Sequence, residues 1–355
     1  MTPFAPVQDD QGAIEAAADE ETGEVLAQIS HDIDQPTNQT IFDSNTSQRL
    51  SQAEIHELRD SGKCVVTELI QNSASFDQKN SFSKVKYIQR KQKKFSRWIR
   101  VLDVNSRTLS NHMIEREPSK ILDLRLDTLG QVLNLANVQF CGKYLLMDDT
   151  KGLLMGAVIE RSVPVDGRKG TEILVLHEDV QFQPNLLKMF NFSSAQLDNL
   201  LDIHLRDCIP EKIEAQEWTN DQTDPQKLEL YADKIESRRL KFVERQKRRL
   251  DARAAFDAQN FTSIILAVDP EVYTCESLVT SLTHLLQPGG ILVAYSTSKE
   301  ALSAAFYEAL TGTKFNDVKL TESFLRPYQT AEGRMHPEMT CNGHGGFILS
   351  MTRVE

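Results

Sequence analysis

Hydrophobic and polar positions change their spacing twice along this chain. Over the first fifty residues apolar side chains are scattered and no period holds. Between Ser51 and Asn72, Ile55, Leu58, Val65, Val66, Leu69 and Ile70 recur at helical spacing with a break at Ser61-Gly62, which predicts two short helices. From Lys120 short runs rich in branched residues alternate with amphipathic stretches, the pattern of a mostly parallel α/β sheet. A first strand is predicted over Lys120–Leu124, followed by a helix carrying Leu129, Val132, Leu133 and Ala136. A second, Lys143–Met147, ends in Asp148-Asp149 and precedes an apolar helix near Leu153–Ile159. A third, Glu172–Leu176, ends in His177-Glu178-Asp179 and leads into helical segments through Leu205. A fourth, Ser263–Val268, ends in Asp269-Pro270 before a helix with Leu278, Leu282 and Leu285. The Pro288-Gly289-Gly290 turn opens a fifth, Ile291–Tyr295, before the helix Ala301–Leu310. Val318–Phe324 and Phe347–Thr352 read as an antiparallel pair at the sheet edge, joined by a long loop.

Five strand–helix units closed by an antiparallel pair match the plan of the Rossmann-like class I methyltransferase fold. Residues 210–260 are too long and too charged for an ordinary connection of ~2–6 residues, so they are read as a charged helical insertion. The expected organisation is an acidic tail over 1–50, a helical and basic connecting region over 51–119, and a methyltransferase-like domain over 120–355.

The net charge of −11 is concentrated at one end. Ten acids stand against Arg49 alone in the first fifty residues, leaving −9 there and −2 over the rest. A segment so acidic and poor in aromatics buries too little apolar surface to offset the entropy of ordering, so disorder is expected there. The five cysteines lack any C-x-x-C spacing, which predicts reduced and mostly buried thiols with neither zinc nor disulfides. No apolar run reaches the ~18 residues that cross a bilayer, and no membrane partner is expected.

In a doubly wound sheet, ligands sit at the carboxyl ends of the strands, and the first strand–helix turn needs glycine for close backbone approach. With Lys120–Leu124 as the first strand, that turn contains no glycine before Gly130. Arg125 and Leu126 would then occupy the place of a cofactor, so a degenerate site is expected, with no catalytic and no cofactor-binding residue. Asp148 stands where such folds keep a ribose-binding acid, and the blocked turn favours a solvated strand-end carboxylate instead. Asp269-Pro270 fits either a catalytic acid or a turn. The sequence contains no G-x-S-x-G, P-loop or H-E-x-x-H motif, and adjacent strand residues such as His177 and Glu178 alternate in direction, so no metal is expected.

A nucleic-acid surface is the best reading of two segments. Lys84, Lys86, Arg90, Lys91, Lys93, Lys94, Arg97 and Arg100 form a run without an acid, interleaved with Tyr87, Phe95 and Trp98. Cations neutralise phosphates and rings stack on bases. The second segment is the polar, cationic loop with Arg326, Tyr328, Arg334 and His336, followed by Gly343-His344-Gly345-Gly346; it fits RNA, a protein interface or both. The basic run of the insertion, Lys234–Arg253, fits RNA contact or a solvated helix with i, i+4 ion pairs.

Four segments carry a resemblance to a known family: Ser83-Lys84-Val85-Lys86-Tyr87-Ile88-Gln89-Arg90-Lys91, Leu133-Asn134-Leu135-Ala136-Asn137-Val138-Gln139, Tyr144-Leu145-Leu146-Met147-Asp148-Asp149, and Arg326-Pro327-Tyr328-Gln329 through Gly345-Gly346-Phe347. From about Ser81 to Val354 the chain resembles the non-catalytic subunits of eukaryotic tRNA (adenine-58-N1)-methyltransferase. The resemblance implies a nuclear, tRNA-binding protein that has lost its own cofactor site. It implies a heterotetramer, two copies of this chain with two of a catalytic subunit that carries S-adenosylmethionine. The substrate would be the T-loop adenine of tRNA, including initiator methionine tRNA. Members of the family usually have a β-barrel before an acidic linker, and this chain begins at what resembles the linker. An active S-adenosylmethionine-dependent RNA methyltransferase and a purely structural scaffold are the competing readings.

Overall fold

The computed structural model describes residues 47–61, 64–95, 101–162, 170–178, 183–208, 218, 232–331, 334–339, 341 and 343–354. The chain divides into two compact units, residues 1–101 with 327–340 and residues 102–326 with 341–355.

The larger unit is built on seven strands: β1 (Lys143–Asp148), β2 (Glu172–His177), β3 (Leu200–His204), β4 (Phe261–Ala267), β5 (Leu286–Ser296), β6 (Phe315–Glu322) and β9 (Phe347–Arg353). Their order is β3-β2-β1-β4-β5-β9-β6. The first five are parallel, and β9 runs antiparallel between β5 and β6. The order reverses between β1 and β4, which opens a crevice at their carboxyl ends.

Central parallel strands are covered on both faces, so their sequences are continuous apolar runs, and successive side chains enter two different cores. Tyr144 and Leu146 of β1, Ile265 and Ala267 of β4, and Val293 and Tyr295 of β5 line one core. Helices α4 (Ser106–Arg116), α5 (Leu126–Leu135) and α6 (Leu153–Arg161) contribute to it through Leu109, Met113, Leu129, Val132, Leu133 and the buried run Leu153–Ile159. Leu145, Met147, Ile264, Leu266, Leu292 and Ala294 line the other. That core is closed by α7 (Ala232–Asp257), α8 (Cys275–Leu282) and α9 (Glu300–Thr311). Because α4 buries Leu109 and Met113 here, the larger unit begins at Leu102 and not at 120.

Two elements change type from the sequence reading, and β5 begins at Leu286, so that Pro288-Gly289-Gly290 lies within the strand and does not open it. Lys120–Leu124 is not a strand: Pro118–Ile121 form a 3-10 turn, and Leu122 and Asp123 are left-handed with φ of 52° and 53°. Proline opens the turn, and Ile121 and Leu124 bury side chains three positions apart, a turn spacing where a strand would use two. The Tyr295 hydroxyl donates to the Leu122 carbonyl at 2.8 Å and holds the turn against β5. Conversely, Leu200–His204, read as part of a helical stretch, is the edge strand β3. The count of five parallel strands therefore stands with one member exchanged, and β1 is Lys143–Asp148.

The smaller unit contains α1 (Gln52–Ser61), α2 (Val65–Gln71) and α3 (Ser81–Phe95). Two small apolar clusters hold it, Ile55 with Val65 and Leu69, and Val66 with Phe76 and Ile88. Residues 47–50 lie outside any disordered tail, since Ala74 N–H donates to Ser47 O and Arg49 N–H to Asn72 O, at 2.9 and 3.0 Å. Residues 1–46 and most of 210–231 fall outside the described residues. The predicted loop between the last strands contains a hairpin of β7 (Tyr328–Ala331) and β8 (Arg334–Pro337), which belongs to this unit.

Gly156 of α6 faces Phe190, whose ring lies 2.3 Å from where a Cβ would stand. Gly156→Ala should lower stability by about 1–3 kcal/mol in urea melts, although alanine is the better helix former by about 1 kcal/mol.

Candidate functional site

The crevice at the carboxyl ends of β1, β2 and β4 is a cavity of about 490 Å³, lined by Asp148, Asp149, Lys151, Gly152, His177, Glu178, Asp269 and Tyr273 among others. Its volume suits a nucleotide-sized ligand. Several of its acids already accept hydrogen bonds from the chain itself.

The turn after β1 is Asp148-Asp149-Thr150-Lys151-Gly152, with Lys151 and Gly152 at φ of 58° and 96°. Asp148 is half-buried and accepts from Thr150 N–H at 2.8 Å through Oδ1 and from Met155 N–H at 3.0 Å through Oδ2. The Thr150 hydroxyl donates to Asp148 and accepts from Leu154 N–H at 3.0 Å. Asp148 and Thr150 together satisfy free N–H groups at the start of α6. Burial raises the Asp148 pKa above the ordinary carboxylate value, against the opposing effect of these hydrogen bonds. The solvated carboxylate expected at this position is thus a half-buried cap. Asp149 Oδ2 accepts from Asp269 N–H at 2.9 Å and ties the ends of β1 and β4 together. Asp269 Oδ1 accepts from Glu271 N–H at 3.0 Å, so the Asp269-Pro270 pair forms a turn.

At the end of β2, Glu178 Oε2 accepts from the Tyr273 hydroxyl at 2.7 Å, bridging the loops after β2 and β4. His177 lies 3.6 Å from Asp202 and 5.5 Å, ring to ring, from His204. The hydrogen bond from His177, then its charge, hold Asp202 below the usual carboxylate pKa despite partial burial. Asp179 lies outside the described residues, among which no three His, Cys, Asp or Glu side chains converge as metal ligands. Cys275 is buried and its thiol is pushed up to about 12; Cys64, Cys208 and Cys341 are half-buried and Cys141 is exposed, so the thiols are less buried than composition suggested.

Arg125 and Leu126 do not stand at this turn. Their placement followed from counting Lys120–Leu124 as a strand. Arg125 is buried and clamps Asp127 through two bonds of 2.9 Å, while donating to Leu325 O at 2.8 Å. Thr128 donates to Gly345 O at 2.6 Å, so this turn anchors α5 to the backbone flanking β9.

S-adenosylmethionine, implied by the fold, meets a poor donor set in the true crevice. Asp148 is spent on backbone N–H groups, Glu178 on Tyr273 and Asp149 on Asp269. A Cβ at Gly152 would stand 2.9 Å from Pro184 Cβ and 3.1 Å from Leu187, so the chain itself closes over that glycine. The residues present do not fit the cofactor.

The sequence-predicted cations divide between the units. Lys84, Lys86, Tyr87, Arg90, Lys91 and Lys94 lie on α3 and Tyr328, Arg334 and His336 on the β7–β8 hairpin, all in the smaller unit; Arg326 belongs to the larger. Lys86, Arg90, Lys93 and Lys94 are exposed. The rings are used differently from the expectation. Tyr87 packs edge-on against Phe76 at 5.5 Å, Lys91 lies over Tyr87 and Phe95 at 5.2 and 5.9 Å, and both rings join the small cores. Burial, then Lys94 and Arg90, lower the Lys91 pKa. Arg97, Trp98 and Arg100 lie outside the described residues. Tyr328 and His336 are exposed.

The family model described as the Gcd10p family matches residues 5–234. The chain belongs to the Gcd10p family. It is 27% identical over 361 residues to the tRNA (adenine(58)-N(1))-methyltransferase non-catalytic subunit of Candida glabrata, covering 98% of this chain and 74% of that protein. Its identity to the subunit of the same name from Eremothecium gossypii is 30% over 334 residues, 90% of this chain and 70% of that protein. The chain spans about two thirds to three quarters of the length of these relatives, 74% of the Candida glabrata protein and 65% of a subunit of the same name from Kluyveromyces lactis. Among solved structures, a tRNA methyltransferase of Aquifex aeolicus aligns with a TM-score of 0.42 at 12% identity, covering 66% of this chain and 72% of that one.

If Asp148 is a cap, Asp148→Ala strands two buried N–H groups and should cost roughly 2 kcal/mol or more in urea unfolding, whereas a ligand-binding acid would leave stability unchanged. Asp148→Asn should also remove a pH effect. With its folded pKa raised, wild-type Asp148 adds stability as pH falls from that raised value to the unfolded one, and the asparagine variant should lack this gain.

Proposed function

We infer that this chain is the non-catalytic, tRNA-binding subunit of a tRNA (adenine-58-N1)-methyltransferase. It acts with a catalytic subunit that carries S-adenosylmethionine, in a heterotetramer with two copies of each, in the nucleus. The substrate is the T-loop adenine of tRNA, initiator methionine tRNA included.

The observation that carries this reading is the crevice. A methyltransferase-like sheet whose strand-end acids are bonded to its own backbone and to Tyr273 retains the scaffold without a cofactor cradle. Family membership supplies the assignment to this complex. The chain's contribution is then to bind and orient the tRNA, which raises the local concentration of the target base at the partner's site. The exposed Lys86, Arg90 and Lys94 supply phosphate contacts from α3, Tyr328, Arg334 and His336 are further candidates on the same unit, and Arg326 is a separate candidate on the larger unit. Lys84, Tyr87 and Lys91 support that helix face from beneath, through their ring contacts.

Mixing this chain with its catalytic partner should give tRNA methylation absent from either alone, and calorimetric titration of the isolated chain with S-adenosylmethionine should show no micromolar binding. Methylation by the isolated chain would restore the enzyme reading. Charge reversal at Lys86, Arg90 and Lys94 should weaken tRNA binding for all tRNA sequences alike and make the salt slope shallower by about 2 to 3, with assembly intact. Unchanged affinity would favour a scaffold.

A further inference from the structure

Partway along α7 the stripe that packs on the sheet changes character. Near the carboxyl end, Ala252 and Phe256 are buried in the core. Arg248 donates to Leu200 O at 2.8 Å, and Arg249 grips both oxygens of Asp207 at 2.6 and 2.9 Å. At 3.6 residues per turn, the positions that continue this stripe toward the amino end are Arg245, Lys241, Arg238 and Lys234. All four are exposed. Where an amphipathic helix would go on presenting apolar groups to a core, this one presents a row of cations to solvent.

The charges are sorted by face. The helix holds nine cations and five acids. Six cations, Lys234, Arg238, Lys241, Arg245, Arg248 and Arg249, fall within an arc of about 100°, and four acids, Asp233, Glu236, Glu244 and Asp251, occupy a separate arc centred roughly 130° away. In the amino-terminal half, the ion pair among the described residues is Arg239 with Glu236 at 3.7 Å, and Arg239 stands outside the cation arc. Arg238, Lys241 and Arg245 have no acid within ion-pair distance among the described residues. Exposed like charges at i, i+3 and i, i+4 destabilise a free helix, so the arrangement gains most from a polyanion.

We propose that the Arg238–Lys241–Arg245 face of α7 is a second tRNA-docking surface, which contacts the phosphate backbone. The proposal rests on the tRNA-binding reading above. The three side chains span about 11 Å of a rigid rod, suited to consecutive phosphates. The same face lacks the aromatic or apolar anchors that dominate protein interfaces. The helix's exposed apolar residues, Leu240, Val243 and Leu250, lie on the other side.

The test replaces Arg238, Lys241 and Arg245 together by glutamine, a good helix former, in the full chain assembled with its methyltransferase partner. A tRNA transcript is titrated at several potassium chloride concentrations. Affinity should fall roughly tenfold near 0.1 M salt, and the salt slope should become shallower by about 2 to 3, with assembly unchanged. Unchanged affinity and slope would overturn the proposal. Loss of assembly without loss of tRNA affinity in the assembled fraction would assign the face to protein and overturn it as well. A companion variant, Leu240→Gln with Val243→Gln, should bind tRNA like wild type; an equal loss there would trace the effect to helix integrity and sink the stripe. A wild-type complex without tRNA affinity fails the subunit reading itself, whereas wild-type binding beside an unaffected variant fails only the stripe.

Discussion

The structure depends most on how the end of its central strand is satisfied. β1 lies between β2 and β4 with its central side chains buried, and the carboxylate with which it ends is only partly exposed to water. An ion there is costly unless donors surround it. The chain supplies them from the next turn: Thr150 and Met155 offer backbone N–H groups, and the Thr150 hydroxyl completes the shell. This one group thereby sets the path of the loop, the start of α6 and the wall of the crevice. The neighbouring Asp149 extends the arrangement across the sheet by capturing Asp269 N–H, which fixes where β4 ends relative to β1.

The same economy of hydrogen bonds bears on function. A ligand site needs polar groups that wait for a partner, held in place by others that do not. In this crevice the groups that would wait are engaged, Glu178 by Tyr273 and Gly152 by the approach of Pro184 and Leu187. Cations stand exposed along α3 and along one face of α7, and most of the net negative charge lies in the first fifty residues. A protein of net charge −11 thus retains basic surfaces on each of its two units. For a member of the Gcd10p family, the division is physically coherent: the sheet provides rigidity, and the helices provide charge.

Apolar periodicity made β1, β2, β4, β5 and β9 legible, because a strand covered on both faces must be an unbroken apolar run whatever its neighbours are. It failed at two places. Ile121 and Leu124 are as apolar as strand residues, but Pro118 and the left-handed Leu122 turn them into a tight bend. Leu200–His204 carries a charge at Asp202, which hid an edge strand whose acid is met by His177 from β2. The Arg125 assignment failed in consequence, since a residue's place at a ligand turn depends on which strand comes first. Asp148 was visible as a residue of interest, yet nothing local distinguishes a waiting acid from a cap.

By itself the sequence determined an α/β sheet of methyltransferase type, an acidic beginning and the existence of its basic helices, since these follow from spacing and composition along the chain. Only the tertiary structure decided which strand is central, that Arg125 is a clamp, and that the crevice acids are spent. Those outcomes rest on bonds between residues far apart in sequence, such as Asp149 with Asp269 and Glu178 with Tyr273, which come into being only when the sheet is assembled.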